Sequence, residues 1–304
     1  LAHRRLDSGL FFWAHPYESG VENAPRFASR DERTLADTTR LAAPDLSAFV
    51  TLQAESLAEI GRLLGYETEA AALDRTRAEV ADAIETQLWD EQDGLYYDRD
   101  VTSGSLVRSR TIASLMPLWA GVPTQARADR LRDAILAPAA FGTSIPLPSV
   151  ARDDPDFVKD MWRGPVWVNT AYGVILGLER YGFVTEAAEL AWRLATGVYE
   201  THAQTHRVYE FYDPDGPGVQ ALHRKRGNWW KRLTLGDKPR GEFVGWSGLV
   251  NTLVLEHILG LERSEPAAVD RSATAERASD PGGPREVRLR PRLTAGRGLA
   301  ARLP

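Results

Sequence analysis

The chain has 304 residues, 43% of them hydrophobic, and a formal net charge of -5. That balance suits a soluble globular protein with one large core or two smaller ones, and it excludes an overall affinity for nucleic acid or membrane surfaces. There is no cysteine, which rules out disulfides, thiolate metal sites and a cysteine nucleophile and leaves the compartment open, with the cytoplasm favoured. The first long stretch, "HPYESGVENAPRF" (15–27), has neither the 3.6-residue period of a helix nor the alternation of a strand, so it reads as a loop. A structural loop does not need Glu18, Glu22, Asn23 and Arg26 interleaved with aromatic rings. The sequence opens abruptly at Leu1 beside this loop, so a fragment or processed form is expected. No apolar run approaches the roughly 20 residues of a membrane span.

From Asp45 to Leu64, the positions Leu46, Phe49, Val50, Leu57, Ile60 and Leu64 share one helical face, with Asp45 as N-cap and Gly65 as the stop. A second helix follows behind Thr68, with Leu73, Val80, Ala81, Ile84 and Leu88 on one face. The turn "GYETEAA" then recurs as "GVPTQARA" (121–128) and "GFVTEAA" (182–188). Each ends a helix at Gly and starts the next at a Thr cap: Thr68, Thr124 and Thr185. One-sided helices stacked as hairpins must share a core, as an open superhelix or a closed α/α toroid. The long loops between them (9–44, 90–108, 138–164 and 203–245), rich in Trp, favour the toroid. Asp93-Gly94 predicts a turn between short extended pieces, and a last helix is expected from about Ser247 to Leu259. Residues 1–264 read as one all-α domain, and 265–304, rich in Ala, Arg and Pro, as a disordered tail.

Four segments gather polar and aromatic residues at helix ends: "FFWAHPYESGVENAPRF", "DMWRGPVWVNT", "VYEFYDP" and "FVGWSGLVN". On one rim of a toroid they would be neighbours. Aromatic faces beside carboxylates and amides suit a carbohydrate, which offers apolar C–H faces and a rim of hydroxyls.

These motifs, in this order from about Phe11 to Leu261, resemble the clan of (α/α)6-barrel, or six-hairpin, glycosidases. That clan includes family 63, the mannosylglycerate and glucosylglycerate hydrolases and, at a greater distance, the trehalases. The resemblance implies an all-α (α/α)6 toroid, incomplete at its N-terminus, that hydrolyses an α-glycosidic bond with inversion and needs no cofactor. It puts the catalytic acid on Glu22, where the family usually has Asp, and the base on Glu210. It puts Trp162, Arg163, Gly164, Trp167 and Asn169 around the glycone, with packing beneath the loop an equal reading for Trp167. Arg163 is expected to bind hydroxyls or steady Glu210, and Asn169 to sit one turn inside a helix started by Pro165. Trp13, His15, Tyr17, Asn23, Tyr212 and Trp246 are further candidates for stacking or hydroxyl binding. Glu18 and Arg26 are expected to pair and hold the loop. A toroid lacking helices would leave apolar flanks exposed.

"HAQTH" places His202 and His206 four apart, but with no Glu beside the first His and no third ligand nearby, so no metal is expected. "HRKRGNWWKR" (223–232) mixes basic and stacking residues as a single-strand nucleic-acid binder would. It falls between Glu210 and Trp246, where the family has a short link, so an insertion bordering the cleft is the better reading. A carbohydrate is therefore the expected partner, with no nucleic acid or membrane, and the oligomeric state stays open. Two alternatives stand beside the hydrolase: a non-catalytic glycan-binding relative, and an enzyme of the same fold with another reaction, such as a phosphorylase or epimerase.

Overall fold

The computed structural model describes residues 2–27, 37–224, 230, 233–234, 236–262, 288–289 and 292. Helices α1 (Pro44–Leu64) and α2 (Glu67–Gln87) form the first hairpin. Gly65 turns it in the left-handed region (φ 85°), and the N–H of Tyr66 closes on Gly61 O at 2.8 Å. A residue without Cβ takes this conformation at no steric cost. Helices α3 (Met116–Trp119) and α4 (Gln125–Leu136), then α5 (Val168–Arg180) and α6 (Val184–Thr205), continue the series. The chain then forms α7 (Val244–Ser247), α8 (Leu249–Thr252) and a π-helical turn, Leu253–Ile258. Along an inner row α1 packs on α3, α3 on α5, and α5 on α7 and α8, while α2 and α6 lie outside. This is the hairpin grammar expected from the sequence, assembled as an all-α α/α layer structure.

Several helix starts differ from expectation. Thr124 does cap α4, its hydroxyl accepting from the Arg127 N–H at 3.4 Å. Thr68 and Thr185 instead lie within the first turns of α2 and α6, which begin behind Tyr66 and Phe183. The carbonyls of those two aromatic residues accept the first intrahelical bonds, from Ala70 and Ala187. Helix α1 starts at Pro44, whose fixed φ suits the first helical position, so Asp45 lies inside the helix and its carboxylate is free for other work. Asn169 is the second residue of α5, not one turn inside it. Pro165 and Val166 are kept out of the helix because Pro165 O accepts from Ser149 N–H and Val166 pairs with Tyr212.

Val80, Ile84 and Leu88 are fully buried with Leu118, Leu178, Leu190 and Leu194 in one core. The outer half of the α1 stripe is not: Leu57, Ile60 and Leu64 are 44%, 50% and 63% exposed. Apolar surface on this part of α1 is thus left open among the described residues.

The loops pair with one another. Strands β2 (Trp89–Asp90) and β3 (Leu95–Tyr96) flank the expected Asp93-Gly94 turn. Strand β1 (Leu41–Ala42) pairs antiparallel with β4 (Asp98–Asp100), and β4 with β5 (Leu106–Val107), joining the first loop to the second. In the expected tail, β7 (Arg288–Leu289) pairs with β6 (Leu261–Glu262), and Arg292 donates its N–H to Ile258 O. The rest of that tail, and residues 225–229 and 231–232 of the basic-aromatic insertion, lie outside the described residues. No helix among the described residues is long and apolar enough to cross a membrane.

Candidate active site

The four polar-aromatic segments meet. Asn23 links the first to the second, its Oδ1 accepting from Trp162 N–H at 2.9 Å and its Nδ2 donating to Asp160 O at 3.3 Å. Val166 and Tyr212 exchange backbone bonds, joining the second to the third. The third meets the fourth through Ser247 Oγ, which donates to Tyr209 O at 2.6 Å, and Trp246 Nε1, which donates to Glu210 O at 3.3 Å.

Beneath the first loop lies a buried charge cluster. The Arg26 guanidinium donates to Asp45 (2.5 Å to Oδ2) and Asp98 (3.0 Å to Oδ1), and all three side chains are almost wholly out of solvent. Burial alone would push the arginine down, but the two carboxylates outweigh it and hold it above its ordinary value. Burial is also the largest influence on Asp98; despite the neighbouring arginine, its carboxyl is pushed up to about 6. Asp45 additionally accepts from Trp13 Nε1 at 3.1 Å. The expected Glu18–Arg26 pair is therefore not formed. Glu18 accepts from Ala14 N–H and Arg4 at the surface, which hold its carboxyl below the usual range.

Above this cluster is a cavity of about 200 Å³, walled among others by Arg26, Asp45, Thr111, Trp162, Asn169 and Trp246. It is smaller than the roughly 300–1,000 Å³ of drug-sized pockets and so suits a single sugar ring. In three of the residues that line it, a buried polar atom has no partner among the described residues: Arg26 Nε, Thr111 Oγ1 and Asn169 Oδ1. A buried polar atom left unpaired is costly, and a ligand hydroxyl would satisfy it once a side-chain rotation brings it to the cavity surface.

Glu22 is half-exposed at the rim of this cavity, between Val21 and Ala24, which line it. Glu210 is 3% exposed behind Trp246, with Oε1 accepting from the Arg240 N–H at 3.0 Å and lying 2.9 Å from Arg224 Nε. Neither carboxylate forms part of the cavity wall itself. Trp162 stacks on Trp167 with centroids 3.8 Å apart and planes 7° from parallel. Trp167, 2% exposed, donates Nε1 to Met161 O and supports Trp162 from below; of the two readings of Trp167, packing is the one the geometry favours. Tyr212 is fully buried, its hydroxyl accepting from Tyr209 N–H, and burial pushes its phenol up to about 12. It fastens the loop and does not reach the cavity. His15 and Tyr17 stack on each other at the surface, apart from the cavity wall. Arg163 reaches Asp156 rather than Glu210. His202 and His206 have ring centroids 6.5 Å apart, and no group of three or more His, Asp or Glu suited to a metal ion occurs among the described residues.

The family model for the mannosylglycerate hydrolase MGH1-like glycoside hydrolase domain matches residues 1–220. The chain belongs to this glycoside hydrolase family. A mannosylglycerate hydrolase of Rubrobacter radiotolerans is 32% identical over 162 residues, 52% of this chain and 35% of the relative. A periplasmic trehalase of Citrobacter koseri is 26% identical over 258 residues, 84% of this chain and 42% of the relative. The chain thus spans about two-fifths or less of the length of these curated relatives. Among solved structures, the family 63 mannosylglycerate hydrolase of Thermus thermophilus in complex with glucose superposes with a TM-score of 0.64 at 25% identity, covering 83% of this chain and 64% of that one. The neutral trehalase of Saccharomyces cerevisiae shares the fold (TM-score 0.56, 18% identity, 79% of this chain and 41% of that one). These neighbours carry the six-hairpin glycosidase fold that the motifs implied.

Within this mannosylglycerate hydrolase-like framework, sequence reasoning missed Thr111, Asp45 and Arg224. Asp45 reads in the sequence as a helix cap, and Thr111 sits in the apolar run "TIASLMPLW" with no motif around it. Arg224 did carry a signal, since it lies in the insertion noted beside the cleft.

Proposed function

We propose that residues 1–264 form the glycosidase-like domain of an inverting α-glycosidase acting on a small α-glucoside or α-mannoside, with Glu22 as acid and Glu210 as base. The observation that carries this reading is the sugar-sized cavity beside the Glu22 loop, whose wall includes Trp246, the residue bonded to Glu210 O, and three residues with unpaired buried polar atoms. In such a reaction the acid protonates the glycosidic oxygen as its bond to the anomeric carbon breaks. Water attacks the opposite face and gives its proton to the base, and the two carboxyls stand roughly 6.5–9.5 Å apart to admit that water. Trp162, rigid on Trp167, offers a face for sugar C–H groups, and Asn169 and Thr111 meet hydroxyls. A Glu in the acid position reaches one bond further than Asp, and a misplacement of about 1 Å can cost on the order of 100-fold in rate. Glu22 has no hydrogen bond or ion pair to a described residue, so its side chain can adjust.

The test is proton NMR of the anomeric signals during incubation with α-glucosides and α-mannosides, glycerate conjugates included. Release of a β-sugar first, abolished by both Glu22→Gln and Glu210→Gln, supports the reading; release of an α-sugar refutes inversion. A second reading, a glycan-binding relative without turnover, draws on the pairing of Glu210 with Arg224. Binding of sugars without hydrolysis, unchanged in Glu22→Gln, would establish it.

A further inference from the structure

We infer that Arg224, in the insertion between Glu210 and Trp246, is the positioning residue for the Glu210 carboxylate, holding one oxygen and leaving the other for water. This rests on the reading of Glu210 as base. Both contacts of that carboxylate fall on Oε1: a hydrogen bond from the Arg240 N–H at 3.0 Å, and an ion pair with Arg224, whose Nε lies 2.9 Å away without its N–H being aimed at the oxygen. Oε2 has no hydrogen-bond partner among the described residues. Glu210 and Arg240 also pair through the backbone, Glu210 N–H donating to Arg240 O at 3.1 Å. The backbone is therefore fixed by one bond, and the side-chain torsion by the Arg240 N–H together with the charge of Arg224.

Arg224 is itself held on both sides. Its N–H donates to Asp237 O, and the neighbouring His223 places Nδ1 2.8 Å from Asp237 Oδ2. His223 N–H donates to Lys159 O at 2.8 Å, and Met161 N–H donates back to His223 O at 3.2 Å. Met161 immediately precedes Trp162. A continuous strut thus runs from the aromatic platform of the cavity through His223 and Arg224 to Glu210. The Arg224 side chain is 16% exposed and that of Glu210 5%, so water screens the attraction between the two charges little. A carboxylate pinned at one oxygen keeps its second lone-pair set aimed in one direction, which a general base requires. Arg163, the arginine expected to steady Glu210, is engaged with Asp156 instead.

The experiment compares steady-state hydrolysis by the full chain with Arg224→Ala, Arg224→Lys and Glu210→Gln, using the substrate found by the NMR panel, with and without added guanidinium. In Arg224→Ala, kcat should fall on the order of 100-fold, as for a catalytic group displaced by about 1 Å, with KM within about 3-fold. Free guanidinium should restore at least about 10-fold, because it can reoccupy the vacated position. Arg224→Lys, which keeps the charge but not the planar fork, should lie between. If Arg224→Ala fails to fold, Arg224→Lys still decides by its split of kcat from KM. An Arg224→Ala rate equal to wild type, or a loss that guanidinium leaves untouched, overturns the inference while an inert Glu210→Gln leaves the base assignment standing. Full activity in Glu210→Gln, or a wild-type chain inert toward the panel, overturns the base assignment and this inference with it.

Discussion

Replacing Arg26 by Met tests whether the buried charge cluster holds the first loop in place. The side chain of Arg26 is 0% exposed, and those of Asp45 and Asp98 are 7% and 4% exposed. Met fills much of the arginine stem but leaves two carboxylates facing each other with no cation. Removing one partner from a buried ion pair costs about 3–5 kcal/mol, against a total stability of roughly 5–15 kcal/mol. With a urea slope of about 1–3 kcal/mol per molar, the unfolding midpoint should drop by at least about 1 M. Tryptophan fluorescence reports it, since the chain has nine tryptophans, among them Trp13 on Asp45 and Trp162 over the cavity. Arg26→Met with Asp98→Asn should recover a substantial part of the loss, because the second change removes one of the stranded charges. The two single changes should then be strongly non-additive. A midpoint in Arg26→Met within about 0.3 M of wild type, at that same urea slope, would show that the cluster does not organise the loop and would sink the argument.

Other outcomes follow from the same geometry. Because the folded-state pKa of Asp98 is raised from 3.8 to about 6, the folded chain binds a proton more tightly than the unfolded one. Stability from this group is full below about pH 4 and is lost as pH rises through about 6, with a slope of at most about 1.4 kcal/mol per pH unit. Melting temperature should therefore rise as pH falls from about 6.5 to about 5 in wild type and stay flatter in Asp98→Asn. The carboxylates held low, Asp90 and Asp215 among them, act only at lower pH, so a rise that persists in Asp98→Asn would contradict the assignment. Thr111→Val removes a buried, unpaired hydroxyl and should leave the urea midpoint unchanged or raised, yet raise KM roughly 5- to 10-fold, about 1–1.5 kcal/mol for a lost hydrogen bond to sugar; an unchanged KM would remove Thr111 from the site. Gly177→Ala would put Cβ 2.8 Å from Trp119 N and 2.9 Å from the Leu118 carbonyl carbon, so α3 and α5 must part at about 1–3 kcal/mol. A neutral effect in urea unfolding would show that the helix contact is looser than described.

What the sequence made legible was local grammar and the order of motifs. The glycine stops at Gly65, Gly121 and Gly182 all take positive φ, and the hairpins they separate were readable because each helix carries its own apolar stripe. The caps were less readable. A Thr and an aromatic compete for the boundary at Tyr66–Thr68 and Phe183–Thr185, and the small shift between them depends on which carbonyl accepts the first helical bond. The convergence of the four polar-aromatic segments was also inferable, because helix ends on one rim have to be neighbours.

Pairings between charges far apart in sequence were not legible, and the first loop shows why. Glu18 and Arg26 are close along the chain and opposite in sign, so local reasoning joins them, yet an exposed pair is worth at most about 1 kcal/mol. Packing overrides so small a preference. Arg26 points inward because the loop crosses the start of α1 and the edge of β4, where Asp45 and Asp98 offer two carboxylates in a space that excludes water. Once that crossing is fixed, an unpaired Asp45 or Asp98 would cost more than any surface pair returns, so the arginine has to go where the buried charges are. The same reasoning separates Arg163 from Arg224: the nearer motif arginine finds Asp156 on its own loop, and Glu210, shut behind Trp246, takes the cation that the insertion delivers to it.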